Sequence, residues 1–150
     1  MSEIVLLDSS PLGLASNPTV SPATDQCNQW IRVTLRRGAL VHVPEIADYE
    51  VRRELIRAGK IKGIAKLNEL KRSLGFLRIN SWMMLKAAEF WAQSRRQGRQ
   101  TSSDASLDAD MILAAQATFL QDKGHTVIVA TTNVKHLELF VDARKWEDIT

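Results

Sequence analysis

Four consecutive apolar residues, Ile4-Val5-Leu6-Leu7, run without polar alternation and stop at Asp8. Such a run fits a strand covered on both faces, the habit of strands in parallel sheets. Leu40-Val41-His42-Val43, Phe76-Leu77-Arg78-Ile79 and Val127-Ile128-Val129-Ala130 read as three further strands. Between them the spacing is helical. A helix capped by Thr24 or Ser21 runs to about Arg37 and ends at Gly38, with Cys27, Ile31, Thr34 and Leu35 inward and Arg32 and Arg36 outward. Pro44 opens a second helix, Glu45 to Ala58, and Gly59 closes it. A third spans 62 to 74 on Ile64, Leu67, Leu70 and Leu74, with Gly75 as its stop. A fourth, Ser81 to Gln97, is predicted to turn Met84, Leu85, Ala88 and Trp91 inward, and an Ala-rich fifth covers Leu107 to Asp122. Ser9 to Pro22 and Arg99 to Ser106 read as loops, and the tail as a short edge strand near 141 to 144 that then covers the sheet.

Strands alternating with helices of this length predict an α/β fold: a three-layer α/β/α sandwich with a central, mainly parallel sheet, Rossmann-like in topology and right-handed in its crossovers. With no repeat and no linker, residues 1–150 are expected to form a single domain. A chain of this size buries roughly 70% of the surface its unfolded form exposes, so it needs no covalent staple. The single Cys27 agrees, and its helical spacing beside Ile31 marks a core thiol rather than a nucleophile. Without a signal-peptide pattern or an apolar stretch near eighteen residues, the expectation is a soluble cytoplasmic protein with no membrane association.

Net charge is +3, unevenly spread. From Arg52 to Arg72 eight Lys/Arg face two acids, Glu54 and Glu69, a local +6 that leaves −3 for the rest. A solvated helical face is the plain reading of that lobe; a surface for a phosphate backbone is the functional one. Arg52, Arg53, Arg57, Lys60 and Lys62, with Lys135 outside the lobe, are the candidates for holding such a backbone.

The acids carry the chemistry. Asp8 sits where the first strand breaks, the edge at which doubly wound sheets bind ligands, although a turn-forming cap is the alternative. Asp110, Ala114 and Ala117 form one stripe on the Ala-rich helix, so a carboxylate starts a packed face, which is costly unless it is paired or metal-bound. Charge complementing the helix dipole is its plainer explanation. Glu50 and Glu54 share a face four residues apart. Thr131-Thr132-Asn133 place polar groups at a second strand end. Asp108, two residues before Asp110, points about 200° away and reaches the site only if the helix begins near it. If Asp8, Glu50 and Asp110 converge within about 5 Å, each ionised pair repels by roughly 3 kcal/mol at an effective dielectric of about 20, so a positive partner is required. An oxygen-only set suits Mg²⁺ or Mn²⁺. His42, His125 and His136 show no paired spacing for zinc.

The ordered set LLDSSPLG, VPEIADYEVRREL, LDADMILAAQA and VIVATTNVKHLELF resembles the PIN-domain family, especially the VapC-like ribonuclease toxins of type II toxin–antitoxin systems, over nearly the whole chain. The resemblance implies Mg²⁺ or Mn²⁺ held by Asp8, Glu50 and Asp110, with Asp108 as a further candidate ligand, and metal-dependent hydrolysis of RNA phosphodiester bonds. Glu45 and Glu54 rival Glu50 for the helix acid. Thr131 and Asn133 match the family's polar strand end, which orders water, metal or phosphate, and Asn133 joins the three acids as a catalytic candidate. Family members often carry an Asp at once or three residues after that Asn; here Val134 and His136 occupy those places, which bears on a second metal site. A small cognate antitoxin and a homodimer are the partners the family implies. The competing reading is a catalytically weak PIN-fold module that binds RNA or an antitoxin. A haloacid-dehalogenase-type phosphatase fits less, because its second Asp would stand where Ser10 is.

Overall fold

The computed structural model describes residues 2–98 and 104–150. The elements run β1 (Glu3–Leu7), α1 (Ser9–Ser16), α2 (Pro22–Arg36), β2 (Leu40–Pro44), α3 (Glu45–Arg57), α4 (Ile61–Ser73), β3 (Phe76–Leu77), α5 (Ser81–Arg96), α6 (Asp104–Asp122), β4 (Thr126–Thr131), α7 (Val134–Leu137), β5 (Ala143–Lys145) and a 3₁₀ turn, Trp146–Asp148. The five strands form one parallel sheet in the order β3-β2-β1-β4-β5. Alternate residues of each central strand feed separate cores. Ile4, Leu6, Val127 and Val129 pack with α5 and α6, while Val5, Leu7, Ile128 and Ala130 pack with α1 to α4 and the C-terminal Trp146 and Ile149. Both faces are thus covered, as the unbroken apolar runs require. The three-layer α/β/α sandwich is the fold.

Where the elements depart from expectation, a specific contact explains it. Residues 9–16 are a helix, not a loop: Asp8 is its N-cap, Pro11 tolerates the first turn, and Pro11, Leu12, Ala15 and Ser16 are buried. That burial outweighs a Ser/Pro/Gly composition that locally favours turns. β3 stops at Leu77 instead of continuing to Ile79, because the Ile79 amide donates to Glu45 Oε1 at 2.7 Å rather than to a neighbouring strand. On α5 the inward face is Met83, Ala87, Phe90 and Ser94, and Met84, Leu85 and Trp91 stand 47%, 69% and 38% exposed. The apolar residues of that helix satisfy helical spacing in two registers one residue apart, and packing against α6 selects the other one. Leu35, expected inward on α2, is likewise exposed, and Ser21 supplies the cap through a reciprocal bond pair with Thr24. α6 starts at Asp104, so the loop expected from Arg99 to Ser106 is helical at its end, and residues 99–103 lie outside the described part. The edge strand falls at Ala143–Lys145, pairing with β4.

Gly75 closes α4 at φ 59°, where a Cβ would lie 2.5 Å from the His42 ring, so both backbone and space demand glycine. Gln116 is fully buried within the alanine face of α6; its amide donates to Leu77 O at 2.8 Å and its carbonyl accepts from Ile46 N at 3.4 Å. That side chain ties α6 to the start of α3 and the end of β3, fixing the two helices that carry Asp110 and Glu50. Among the described residues no helix is long and apolar enough to cross a membrane.

Candidate metal centre and nucleic-acid groove

From β1 the chain crosses to β2 on one side, and from α6 it enters β4 on the other, so the carboxyl ends of β1 and β4 flank the switch point of the sheet. Asp8 and Thr131 stand there side by side. Asp8 is 4% exposed, and its backbone N–H donates to Ala130 O at 2.9 Å. Its carboxylate accepts from Ser9 N at 2.7 Å through Oδ1 and from Thr131 Oγ1 at 2.7 Å through Oδ2. Thr131 Oγ1 in turn accepts from Asn133 N at 2.8 Å. The threonine hydroxyl is therefore held by one neighbour and aimed by it at Asp8. Asp8 thus caps α1, the alternative the sequence offered, and does so at the carboxyl end of β1.

Glu50 arrives from the middle of α3 and Asp110 from the first half of α6, and the three acids perturb one another. Burial, then the Asp8 and Asp110 carboxylates, push Glu50 up to about 7, with the Arg53 guanidinium pulling the other way. Burial and then Asp8 push Asp110 up to about 6, against the opposing pull of His136, whose Nδ1 lies 3.2 Å from Asp110 Oδ2. Burial raises Asp8 too, opposed by its bonds from Thr131 and Ser9. Desolvation raises all three and like charge adds to it for Glu50 and Asp110, a pattern that clusters at functional sites. Among the described residues no three His, Cys, Asp or Glu side chains already close round a single ion. The acids sense one another through their charge at longer range, Glu50 half-buried and Asp8 and Asp110 buried. The donor set, oxygen-only and resistant to ionising alone, fits a hard divalent cation.

The rival acids are engaged elsewhere. Glu45 accepts the Ile79 amide, and Glu54 pairs at 2.9 Å with Arg57 on the exposed face of α3. Asp108 is exposed and lines a small cavity with Met84, Trp91 and Ile112 against α5. Its charge is not among those that shift Asp8, Glu50 or Asp110. Thr131 is fully buried with its hydroxyl bonded to Asp8, while the exposed Asn133 contributes its backbone N–H to that arrangement. Gln116 and His136 complete the picture. Gln116 had one legible signal, a polar residue in the middle of an alanine face; His136 was marked by its place three residues after Asn133, but not its contact with Asp110, 26 residues away.

Beside the acids lies an open groove of about 770 Å³ between α1, α3 and the start of α4, lined by Ser9, Glu50, Arg53, Lys60 and Lys62 among others. A second, of about 660 Å³, runs from Asn133, Lys135 and His136 to Arg144 and Lys145 at the β5 edge. Arg53, Lys60, Lys62 and Lys135 are exposed within these grooves. Arg57 is exposed and paired with Glu54. Arg52 differs: its guanidinium grips the buried Asp48 through two bonds, 3.1 and 2.9 Å, and donates to Asn68 at 2.9 Å, joining α3 to α4. Arg52→Ala is expected to lower stability by about 2 kcal/mol, the cost of stranding a buried acceptor, as read by denaturant unfolding. A variant as stable as the wild type would show that the pair contributes nothing.

No family model and no curated protein sequence matches the chain. Solved structures do. VapBC2 from Rickettsia felis, bound to a DNA fragment from their promoter, aligns with a TM-score of 0.74 at 14% identity, covering 95% of this chain and 98% of that one. FitAcB from Neisseria gonorrhoeae aligns with a TM-score of 0.67 at 17% identity, and DNA-bound VapBC from Salmonella typhimurium with 0.66 at 15%; each alignment covers 97% of this chain and 99% of the other. At such identities the likeness establishes the fold alone, which this chain shares over nearly its whole length with chains of these VapBC and FitAcB structures.

Proposed function

We propose that this chain is a Mg²⁺- or Mn²⁺-dependent endoribonuclease, a VapC-like toxin acting in the cytoplasm on RNA phosphodiester bonds. The observation that supports the proposal is the electrostatic coupling of Asp8, Glu50 and Asp110, which follow β1 or lie on α3 and α6, each raised in pKa by burial and two of them by the others' charge. These three side chains would hold the ion. When bound, such an ion neutralises their repulsion, polarises a phosphoryl oxygen and acidifies water. The chain's own residues do the rest. Thr131 and Ser9 keep the Asp8 carboxylate in one orientation. Arg53, Lys60, Lys62 and Lys135 hold the RNA backbone in the grooves on either side, contacts that position the strand without reading its bases. The likeness to VapBC and FitAcB complexes supports a small antitoxin as partner, and a homodimer is the assembly expected of the fold.

Incubating the purified protein with labelled single-stranded RNA tests this directly. Cleavage is expected with Mg²⁺ or Mn²⁺ and none with EDTA; binding without cleavage under every divalent ion would leave the weak RNA- or antitoxin-binding module instead. The groove assignment has its own check. Lys60→Ala with Lys62→Ala is expected to weaken RNA binding whatever its sequence and to flatten the salt dependence, by about 1.4 in the log–log slope if each lysine neutralises one phosphate of a single strand. An unchanged slope would move the strand off α4.

A further inference from the structure

Asp8 has two named donors on its carboxylate, whereas Asp110 is met from another element by His136, through Nδ1 to Oδ2 at 3.2 Å. The histidine is placed for this by the chain that leaves β4. Asn133 N bonds Thr131, α7 begins at Val134, and the buried Leu137 anchors that turn in the core beneath the sheet. One short segment therefore reaches two of the three acids, Asp8 through Thr131 and Asp110 through His136. The imidazole is only partly exposed, its side chain 28% accessible where it borders the β5-edge groove.

Resting on the metal-dependent reading above, we infer that His136 is a positioning residue: its Nδ1–H donates to Asp110 and fixes the orientation of that carboxylate, so that Asp110 does not have to be ordered when a divalent ion arrives. The reasoning is steric as well as electrostatic. A carboxylate on a packed helix face has two soft torsions, and a single donor on one named oxygen removes the freedom to rotate. Ordering that is already done in the ion-free protein does not have to be supplied when the ion arrives. Partners of this kind, one bond removed from a ligand, alter metal affinity by roughly 10–100-fold.

Two polar replacements separate the atoms of the ring. Asn places its amide nitrogen near the position of Nδ1, whereas Gln extends its amide to about the position of Nε2. Mn²⁺ binding, followed by the loss of the free-ion EPR signal in the absence of RNA, is the readout. His136→Asn is expected to bind Mn²⁺ within about threefold of the wild type and His136→Gln about tenfold or more weakly, with thermal melts of the ion-free variants confirming that both fold. Equal affinity in all three proteins would overturn the positioning role while leaving the metal site intact. So would a Gln variant that binds better than Asn, because the active atom would then be Nε2 acting on the ion itself. A wild type that takes up no Mn²⁺ would sink the metal-dependent reading and this inference with it.

Discussion

Asp8→Asn is expected to remove Mg²⁺-dependent cleavage of RNA, by more than the roughly 10–100-fold that loss of a ligand's supporting partner costs. The replacement is nearly isosteric. Its carbonyl oxygen still accepts from Ser9 N, and the amide nitrogen faces Thr131 Oγ1, which keeps an acceptor lone pair for it while taking the Asn133 amide. The cap of α1 therefore survives and the backbone bond to Ala130 O is untouched. What goes is the negative charge at the most buried of the three acids, and with it one anionic ligand for a cation. RNA binding should be nearly unchanged, because the lysines and Arg53 of the grooves carry it. Cleavage kinetics and a filter-binding isotherm on the same preparation check both halves. Cleavage retained within tenfold of the wild type would remove Asp8 from the site.

The second large effect is on stability, and its sign follows from the direction of the shifts. Glu50 and Asp110 are pushed up to about 7 and about 6, and Asp8 is raised from the same ordinary range. Across the window from about pH 4 to 7 the folded protein therefore holds protons that the unfolded chain has released, so the ion-free protein loses stability as pH rises through it. His42, lowered by burial and by His125, opposes the trend, because the unfolded chain takes up its proton first as pH falls. Glu50→Gln isolates the acid: the variant is expected to melt above the ion-free wild type at pH 7.5, with the gap closing below pH 4.5. Mn²⁺ at a hundred times its dissociation constant should stabilise the wild type by about 2.7 kcal/mol, a rise of roughly 5–10 °C in Tm for a domain of this size, and do far less for the variant or at pH 5. A gap independent of pH would show that the three carboxylates do not burden the fold.

Legibility varied with the range of the forces involved. β1, β2 and β4 were plain because unbroken runs such as Val127-Ile128-Val129-Ala130 leave few alternatives for a buried strand, and α3 and α4 because Pro44, Gly59 and Gly75 mark their ends. α1 was hidden because Ser9, Ser10, Pro11 and Gly13 speak locally for a turn, while the burial of Leu12 and Ala15 that stabilises the helix comes from α2, α3 and the sheet. The inward face of α5 lies one residue from the register that spacing predicts, since only the surface of α6 discriminates Met83 from Met84. Among the site residues, Asp8 and Asp110 could be singled out from a strand end and a stripe. The roles of Arg52 and Thr131 could not: one is spent on Asp48 and Asn68 and the other on Asp8, pairings that join residues up to 123 positions apart.

The amino-acid pattern alone determined the alternation of strands and helices, the burial of the sheet on both faces and the presence of acids at strand and helix ends, because each depends on neighbours within a turn or a strand. Only the tertiary structure decided which acids sense one another's charge and which basic residues remain exposed in the grooves. Those outcomes depend on the order of strands in the sheet, on Gln116 fixing α6 against α3, and on burial that raises the energy of a charge through everything packed around it.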